Sequence, residues 1–198
     1  MNFLQLCQRL RQETGISDSG PGTVTGQTGD MKRIIDWTND AWLRLQTLRP
    51  DWFFMWTSDI WLPLTQECDK PSTVGEFLII KYGDIELQRK HYRDLKQSTE
   101  LSAYAILPNG RVRFDFDPNG LELHYEGFKR PVRFSEGIEA PSMPEPYHMI
   151  IVWSALMEYA MFDEAPELMQ KARLNFEQML AELSRNQLST VEAPSALV

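Results

Sequence analysis

The sequence is short of the residues on which most chemistry is built. Its 198 residues include two cysteines, Cys7 and Cys68, and three histidines, His91, His124 and His148. The cysteines make neither a zinc-ligand spacing nor a disulfide framework. The histidines lie far apart, outside any H-x-x-x-H or H-E-x-x-H context, so metal and triad chemistry lack their usual ligands. No cofactor is expected. Positive charge is also scarce: 20 Lys and Arg against 28 Asp and Glu give a net charge of -8. Electrostatics therefore supply no general reason to grip DNA, RNA or an anionic membrane. Long apolar runs are missing as well. The longest, residues 149–162, is interrupted by Ser154 and Glu158 and falls short of the roughly 20 residues a bilayer requires. Residues 2–10, broken by Gln5, Gln8 and Arg9, hold no continuous signal-peptide core. A soluble chain in a reducing compartment is the expectation.

What is present is core-forming material. Hydrophobic residues make up 42% of the chain, with six Trp and ten Phe, which excludes wholesale disorder. Residues 1–50 read as two helices. Phe3, Leu6, Cys7 and Leu10 recur at helical spacing and Gly15 closes the first helix. Residues 15–29 lack a period and form a loop. Met31, Ile34, Ile35, Trp37, Thr38, Ala41, Trp42, Leu45 and Leu48 make the apolar face of a second helix, ended by Pro50. Residues 51–142 change to strand character. The aromatic stretch 52–56 and residues 60–62 are β-rich, residues 77–80 form a short apolar run, and residues 85–88 alternate. Two turn signals, Leu107-Pro108-Asn109-Gly110 and Asp117-Pro118-Asn119-Gly120, punctuate alternating segments carrying Val112, Phe114 and Phe116, then Leu121, Leu123 and Tyr125. Asn-Gly favours tight hairpins, so a three-stranded meander with one wet face is predicted.

Helix returns after Pro144-Glu145-Pro146. Residues 147–162 are apolar nearly all round, the mark of a helix buried on most sides. Asp163, Pro166 and Glu167 supply a capping acid, an early proline and first-turn acidity for a last helix. Its stripe is Leu168, Met169, Ala172, Phe176, Met179, Leu180 and Leu183. The fold class that follows is α+β: a four-helix bundle formed from N- and C-terminal segments, 1–50 and 143–187, with an inserted antiparallel β domain, 51–142, and an extended C-terminal tail, 188–198. Charge is uneven. Residues 141–198 hold 3 basic and 8 acidic groups, whereas residues 1–50 hold 6 and 5.

Each chemical motif meets a plainer explanation. Residues 20–28 resemble a phosphate loop, but Gln27 stands where lysine belongs and no strand precedes it. Asp115 and Asp117 share a strand face as paired carboxylates do; solvation and turn chemistry account for them. Cys7 reads as a buried hydrophobe, Cys68 as part of an exposed polar loop. Lys129, Arg130 and Arg133, with Arg111 and Arg113 on a neighbouring strand and Phe128 and Phe134 between them, form the one basic cluster noted. Nearby Glu126, Glu136 and Glu139 favour a mixed polar face or a protein-contact edge over nucleic acid. The aromatic density from Trp52 through Trp56 to Trp61 fits core packing or, alternatively, a subunit interface. No enzyme emerges.

The order of segments then carries a resemblance. Asp36-Trp37-Thr38-Asn39-Asp40-Ala41-Trp42 leads to Arg49-Pro50-Asp51-Trp52 and the β insertion. Met143-Pro144-Glu145-Pro146-Tyr147 opens the helix Val152-Trp153-Ser154-Ala155-Leu156-Met157-Glu158-Tyr159-Ala160, and Glu164-Ala165-Pro166-Glu167 precedes the last one. This layout resembles the head-to-tail connector (adaptor) proteins of tailed bacteriophages, including the tail-tube gatekeepers of short-tailed phages, from Phe3 to about Leu188. The resemblance implies a non-enzymatic virion protein, cytoplasmic during assembly. It forms a homo-oligomeric ring, usually of twelve copies, under the portal protein, with DNA passing through its lumen without specific binding. The tail is then expected on the portal, with Leu188, Val191, Leu197 and Val198 as apolar anchors, and the 15–29 loop is a second contact. A subunit or tail (nozzle) protein interface is expected at Trp52, Trp56, Trp61, Phe128 and Arg130. A tail-completion or terminator protein is the alternative within the virion. A small DNA-binding regulatory domain is the alternative outside it, opposed by the length of the 15–29 loop and the lack of basic helices.

Overall fold

The computed structural model describes residues 1–17, 19–95 and 103–188. The protein is α+β, and the described residues form four helices and two sheets whose pairings are mostly antiparallel. It divides into two compact units, one of residues 1–54 and 131–198, the other of residues 55–130.

The first unit holds α1 (Phe3–Glu13), α2 (Gly29–Leu48), α3 (Met149–Phe162) and α4 (Pro166–Gln187). Asn2 starts α1 with a reciprocal capping box: its Oδ1 accepts from the Gln5 amide at 2.9 Å, and Gln5 Oε1 accepts from the Asn2 amide at 2.9 Å. Gly15, at φ 78°, takes the left-handed position that ends the helix. Arg49 is extended ahead of Pro50 and ends α2. Nearly every residue of α3 from Ile150 to Ala160 is buried, and α3 packs against α1, α2 and α4. The expected capping acid of α4 is corrected: its N-cap is Ala165, with no side-chain hydrogen bond. Asp163 instead closes α3 and accepts from the Tyr159 hydroxyl at 3.1 Å.

An extended strap, residues 131–139, crosses the helices. Asn39 and Gln46, two turns apart on α2, each use their amide as a peptide group would. Asn39 accepts from the Phe134 amide (2.8 Å) and donates to its carbonyl (2.9 Å). Gln46 does the same for Val132, at 3.0 and 2.8 Å. Phe134 is stacked between Phe3 (4.8 Å) and Trp42 (5.5 Å). Farther along, the Gly137 and Glu139 carbonyls accept from the amides of Leu4 and Phe3, which satisfies two donors that a helix start leaves orphaned.

In the second unit, β1 (Trp56–Trp61), β8 (Leu123–Lys129), β3 (Val74–Tyr82) and β4 (Ile85–Glu86) form one sheet in that spatial order. The other sheet runs β2 (Glu67–Cys68), β7 (Val112–Phe114), β6 (Ala103–Ile106) and β5 (Gln88–Arg89). One pairing, β5 with β6, is parallel. The two sheets share a core of Trp61, Val74, Phe77, Ile80, Tyr104, Phe114, Leu123 and Tyr125.

The predicted meander is overturned: β7 and β8 lie in different sheets. The first Pro-Asn-Gly does join hairpin neighbours β6 and β7. The Gly110 amide donates to Leu107 (2.9 Å) and the Leu107 amide to Arg111 (2.8 Å), and Gly110 alone is left-handed. That is a three-residue loop in which Pro108 suits the first turn position and glycine forms the bulge. In the second, Asp117 accepts from the Asn119 amide (3.1 Å) in a local turn, and the chain crosses from one sheet to the other. Two further expectations are corrected. Asp115 is 2% exposed rather than solvated, and accepts from the Ala103 amide at 3.0 Å. Cys68 is a half-buried strand residue rather than part of an exposed loop.

β3 explains its own apolar run. Its register against β8 shifts at Gly75 and again at Leu78. Each bulge turns the following side chains over, so Val74, Phe77 and Ile80 face inward at a spacing of three. Opposite the second bulge, a Cβ on Gly127 would stand 2.2 Å from the Glu76 carbonyl oxygen. Only glycine fits there.

Candidate interaction surface

Strand alternation along β8 puts Leu123, Tyr125 and Gly127 inward, and His124, Glu126 and Phe128 outward. The register with its neighbours then lays out the outer face in rows. Phe128 lies opposite Trp56 on β1 and Glu76 on β3; Glu126 opposite Ser58 and Ile79; His124 opposite Ile60 and Lys81. Three large apolar side chains there are open: Trp56 is 46% exposed, Ile60 47%, and the bulge residue Leu78 52%. Phe128 is half-buried beside them. Just beyond Phe128, the Arg130 amide donates to the Thr73 carbonyl (2.8 Å) and prolongs the ladder, leaving an exposed guanidinium with no ion pair among the described residues. An exposed face combining Trp, Phe, aliphatic groups and Arg has the composition of a protein contact.

The structure thus brings Trp56, Phe128 and Arg130 together and separates the other two residues expected with them. Trp52 is fully buried; its Nε1–H donates to the Leu45 carbonyl (2.9 Å) and its ring stacks on Phe54. Trp61 is buried against Phe77 at 5.5 Å. Both are core residues, because one indole lies behind α2 and the other between the sheets. The expected basic cluster does not assemble. Arg111 and Arg113 both bind Glu67 in the second sheet, at 3.1 and 2.7 Å, and Arg133 pairs with Asp40. The hydrogen bond from Arg113, more than the charges of Arg113 and Arg111, holds the Glu67 carboxyl below the usual carboxylate range. Leu188 directly follows α4, half-buried, its amide donating to Ser184 (3.1 Å). Val191, Leu197 and Val198 lie outside the described residues. The 15–29 loop folds back on α1, with Gln8 donating to the Pro21 carbonyl (3.1 Å).

The remaining chemistry is quiet. Among the described residues no three His, Cys, Asp or Glu side chains are grouped to hold a metal, and no helix is long and apolar enough to cross a membrane. Burial pushes the Cys7 thiol up to about 12 and Cys68 to about 11, against thiolate formation. Burial also lowers the pKa of His148, which donates from Nε2 to the Met143 carbonyl (3.0 Å).

Sequence reasoning missed two groups. Asn39 and Gln46 belong to no motif, and their spacing of seven is the one signal in the sequence that places them on a common side of α2. Lys70, Arg89 and Glu76 are scattered along the chain and meet beside Arg130 through the bulged pairing of β3.

Over residues 1–197 the chain matches the family model described as SU10 adaptor protein. No curated protein matches it.

Proposed function

The chain belongs to the SU10 adaptor protein family, a family of phage structural adaptors, and on that premise we propose that it is the head-to-tail connector of its virion. In this reading its helices act as a four-helix bundle, copies assemble into a ring, twelve in number, between portal and tail, and DNA passes through the lumen. The family match along almost the whole chain carries the reading. The open sheet face at Trp56, Phe128 and Arg130 supports it, being a surface suited to a neighbouring virion component. Residues 188–198 are assigned to the portal, with Leu188, Val191, Leu197 and Val198 as apolar anchors. An acidic balance suits a channel that must let DNA slide, since phosphate contacts would hold it.

The test is light-scattering mass after gel filtration, for the chain alone and mixed with the portal ring encoded near it. A gain of about one copy per portal subunit is expected, and removal of residues 188–198 should abolish it while leaving the circular dichroism spectrum unchanged. Failure to co-elute over a range of salt and concentration points instead to a tail-completion protein. Unchanged binding after truncation refutes the role of the tail.

A further inference from the structure

At one corner of the open sheet face three cations gather around one carboxylate. Glu76, opposite Phe128, binds Arg89 at 3.2 Å. Lys70 donates through Nζ to the carbonyl of Gly75, the residue before Glu76. Gly75 in turn lies so close to Arg130 that a Cβ on it would come within 3.3 Å of the Arg130 Cα. Lys70, Arg89 and Arg130 therefore leave a local excess of positive charge in a chain whose net charge is -8. Burial first, then the neighbouring Arg130 guanidinium, hold the Lys70 ammonium below the usual lysine range, with Glu76 opposing them. Trp56 and Leu78 add exposed apolar surface. An acidic stretch that also carries apolar side chains would meet both the cations and the exposed Trp56 and Leu78, so the corner suits such a polypeptide.

The same chain carries such a stretch where α3 turns into α4. Met161 is 70% exposed and Phe162 54%, and Asp163, Glu164 and Glu167 follow, all exposed. The turn is fixed rather than loose. Ala165 donates to the Ala160 carbonyl (2.9 Å), Arg33 sits 4.3 Å over the Phe162 ring, and Glu164 is held at φ 52°, a left-handed conformation uncommon outside glycine. Glu164 and Glu167 have no ion pair among the described residues.

We propose that this acidic, apolar turn of one copy docks on the cationic, aromatic corner of a second copy. Glu164 and Glu167 meet Lys70, Arg89 and Arg130, and Met161 and Phe162 meet Trp56 and Phe128. Because the two patches differ, the contact is head-to-tail, and a docked pair keeps one patch of each kind free, the condition for a ring. The proposal deepens the ring of the connector reading, but it is carried by complementarity within this sequence.

The experiment follows mass against concentration by sedimentation, for the full chain and two double variants, R89E/R130E and E164K/E167K. The wild-type chain should grow in mass from micromolar to millimolar concentration, less so at high salt, and each variant should lose that growth. Mixed in equal amounts, the two variants should regain association, since the intact patch of each and the reversed patch of each meet opposite charge on the other. A wild-type chain that stays monomeric, a variant that associates like wild type, or a mixture that forms no pair overturns the proposal. If either double variant loses its circular dichroism spectrum, R130Q and E164Q replace the pair and must each weaken association. Retardation of duplex DNA by the wild-type chain that R89E/R130E abolishes, without self-association, would assign the corner to nucleic acid and overturn it too. Portal co-elution in the absence of self-association sinks this contact alone and leaves the connector reading standing.

Discussion

β8 and the strap are consecutive extended stretches of one chain, and they are held by opposite means. β8, Leu123–Lys129, has a strand on each side and is fixed by backbone pairing with β1 and β3. Those bonds ask little of side chains, so His124, Glu126 and Phe128 are free to face outward. Among the described residues the strap has no strand beside it. Side chains fix it instead: the amides of Asn39 and Gln46 stand in for a missing neighbour, and Phe134 fills the gap between Phe3 and Trp42. Two phenylalanines a few residues apart therefore serve different ends. Phe128 is available because the ladder carries its segment, whereas Phe134 is consumed in carrying its own.

The contrast can be broken at three points of decreasing effect. Gly127→Ala attacks β8 where its own backbone is the constraint. A Cβ 2.2 Å from a carbonyl oxygen cannot be accommodated without moving β3, and the expected loss exceeds about 4 kcal/mol, read as collapse of the thermal transition. A melting temperature within a few degrees of wild type would mean that the bulge at Leu78 is not held as described. Phe134→Ala removes the ring on which the strap rests and should cost about 3 kcal/mol in a denaturant titration, with the slope unchanged. Should the loss be small, the amide clamps alone position the strap. Phe128→Ser touches only the open face, and stability should move by less than about 0.5 kcal/mol. A large drop would reclassify Phe128 as core and remove it from the interaction surface.

Much of this was legible in the sequence, for identifiable reasons. Helices α1, α2 and α4 were readable because their apolar residues recur at helical spacing, and α3 because it is apolar all round. The Leu107–Gly110 hairpin was readable because proline and glycine determine its turn locally. Its twin at Asp117–Gly120 carries the same Pro-Asn-Gly and also bends locally, yet leads into the other sheet. Turn chemistry reports the bend and says nothing of the next strand's partner. The run Phe77-Leu78-Ile79-Ile80 hid its alternation because two bulges change the period from two to three. For Trp52 and Trp61 core packing and a subunit interface both stayed open, because composition cannot tell a buried indole from an exposed one; the structure buries both. Trp56 and Phe128 were both named from the sequence; that they lie opposite each other is a matter of register, which no local pattern encodes.

The Gly137 and Glu139 carbonyls that close the start of α1 also set an order of events during synthesis. Helices α1 and α2 are made first, but the strap they need, and α3 behind it, follow only after the whole β unit. At roughly 5–20 residues per second, the stretch from Phe54 to Glu139 takes on the order of 4–17 s. For that interval Leu6, Leu10, Ile34 and Trp42, all buried in the finished protein, lack the cover that the strap and α3 supply. The nascent helical pair is thus the part of this chain most in need of a chaperone or of a rapid finish to translation.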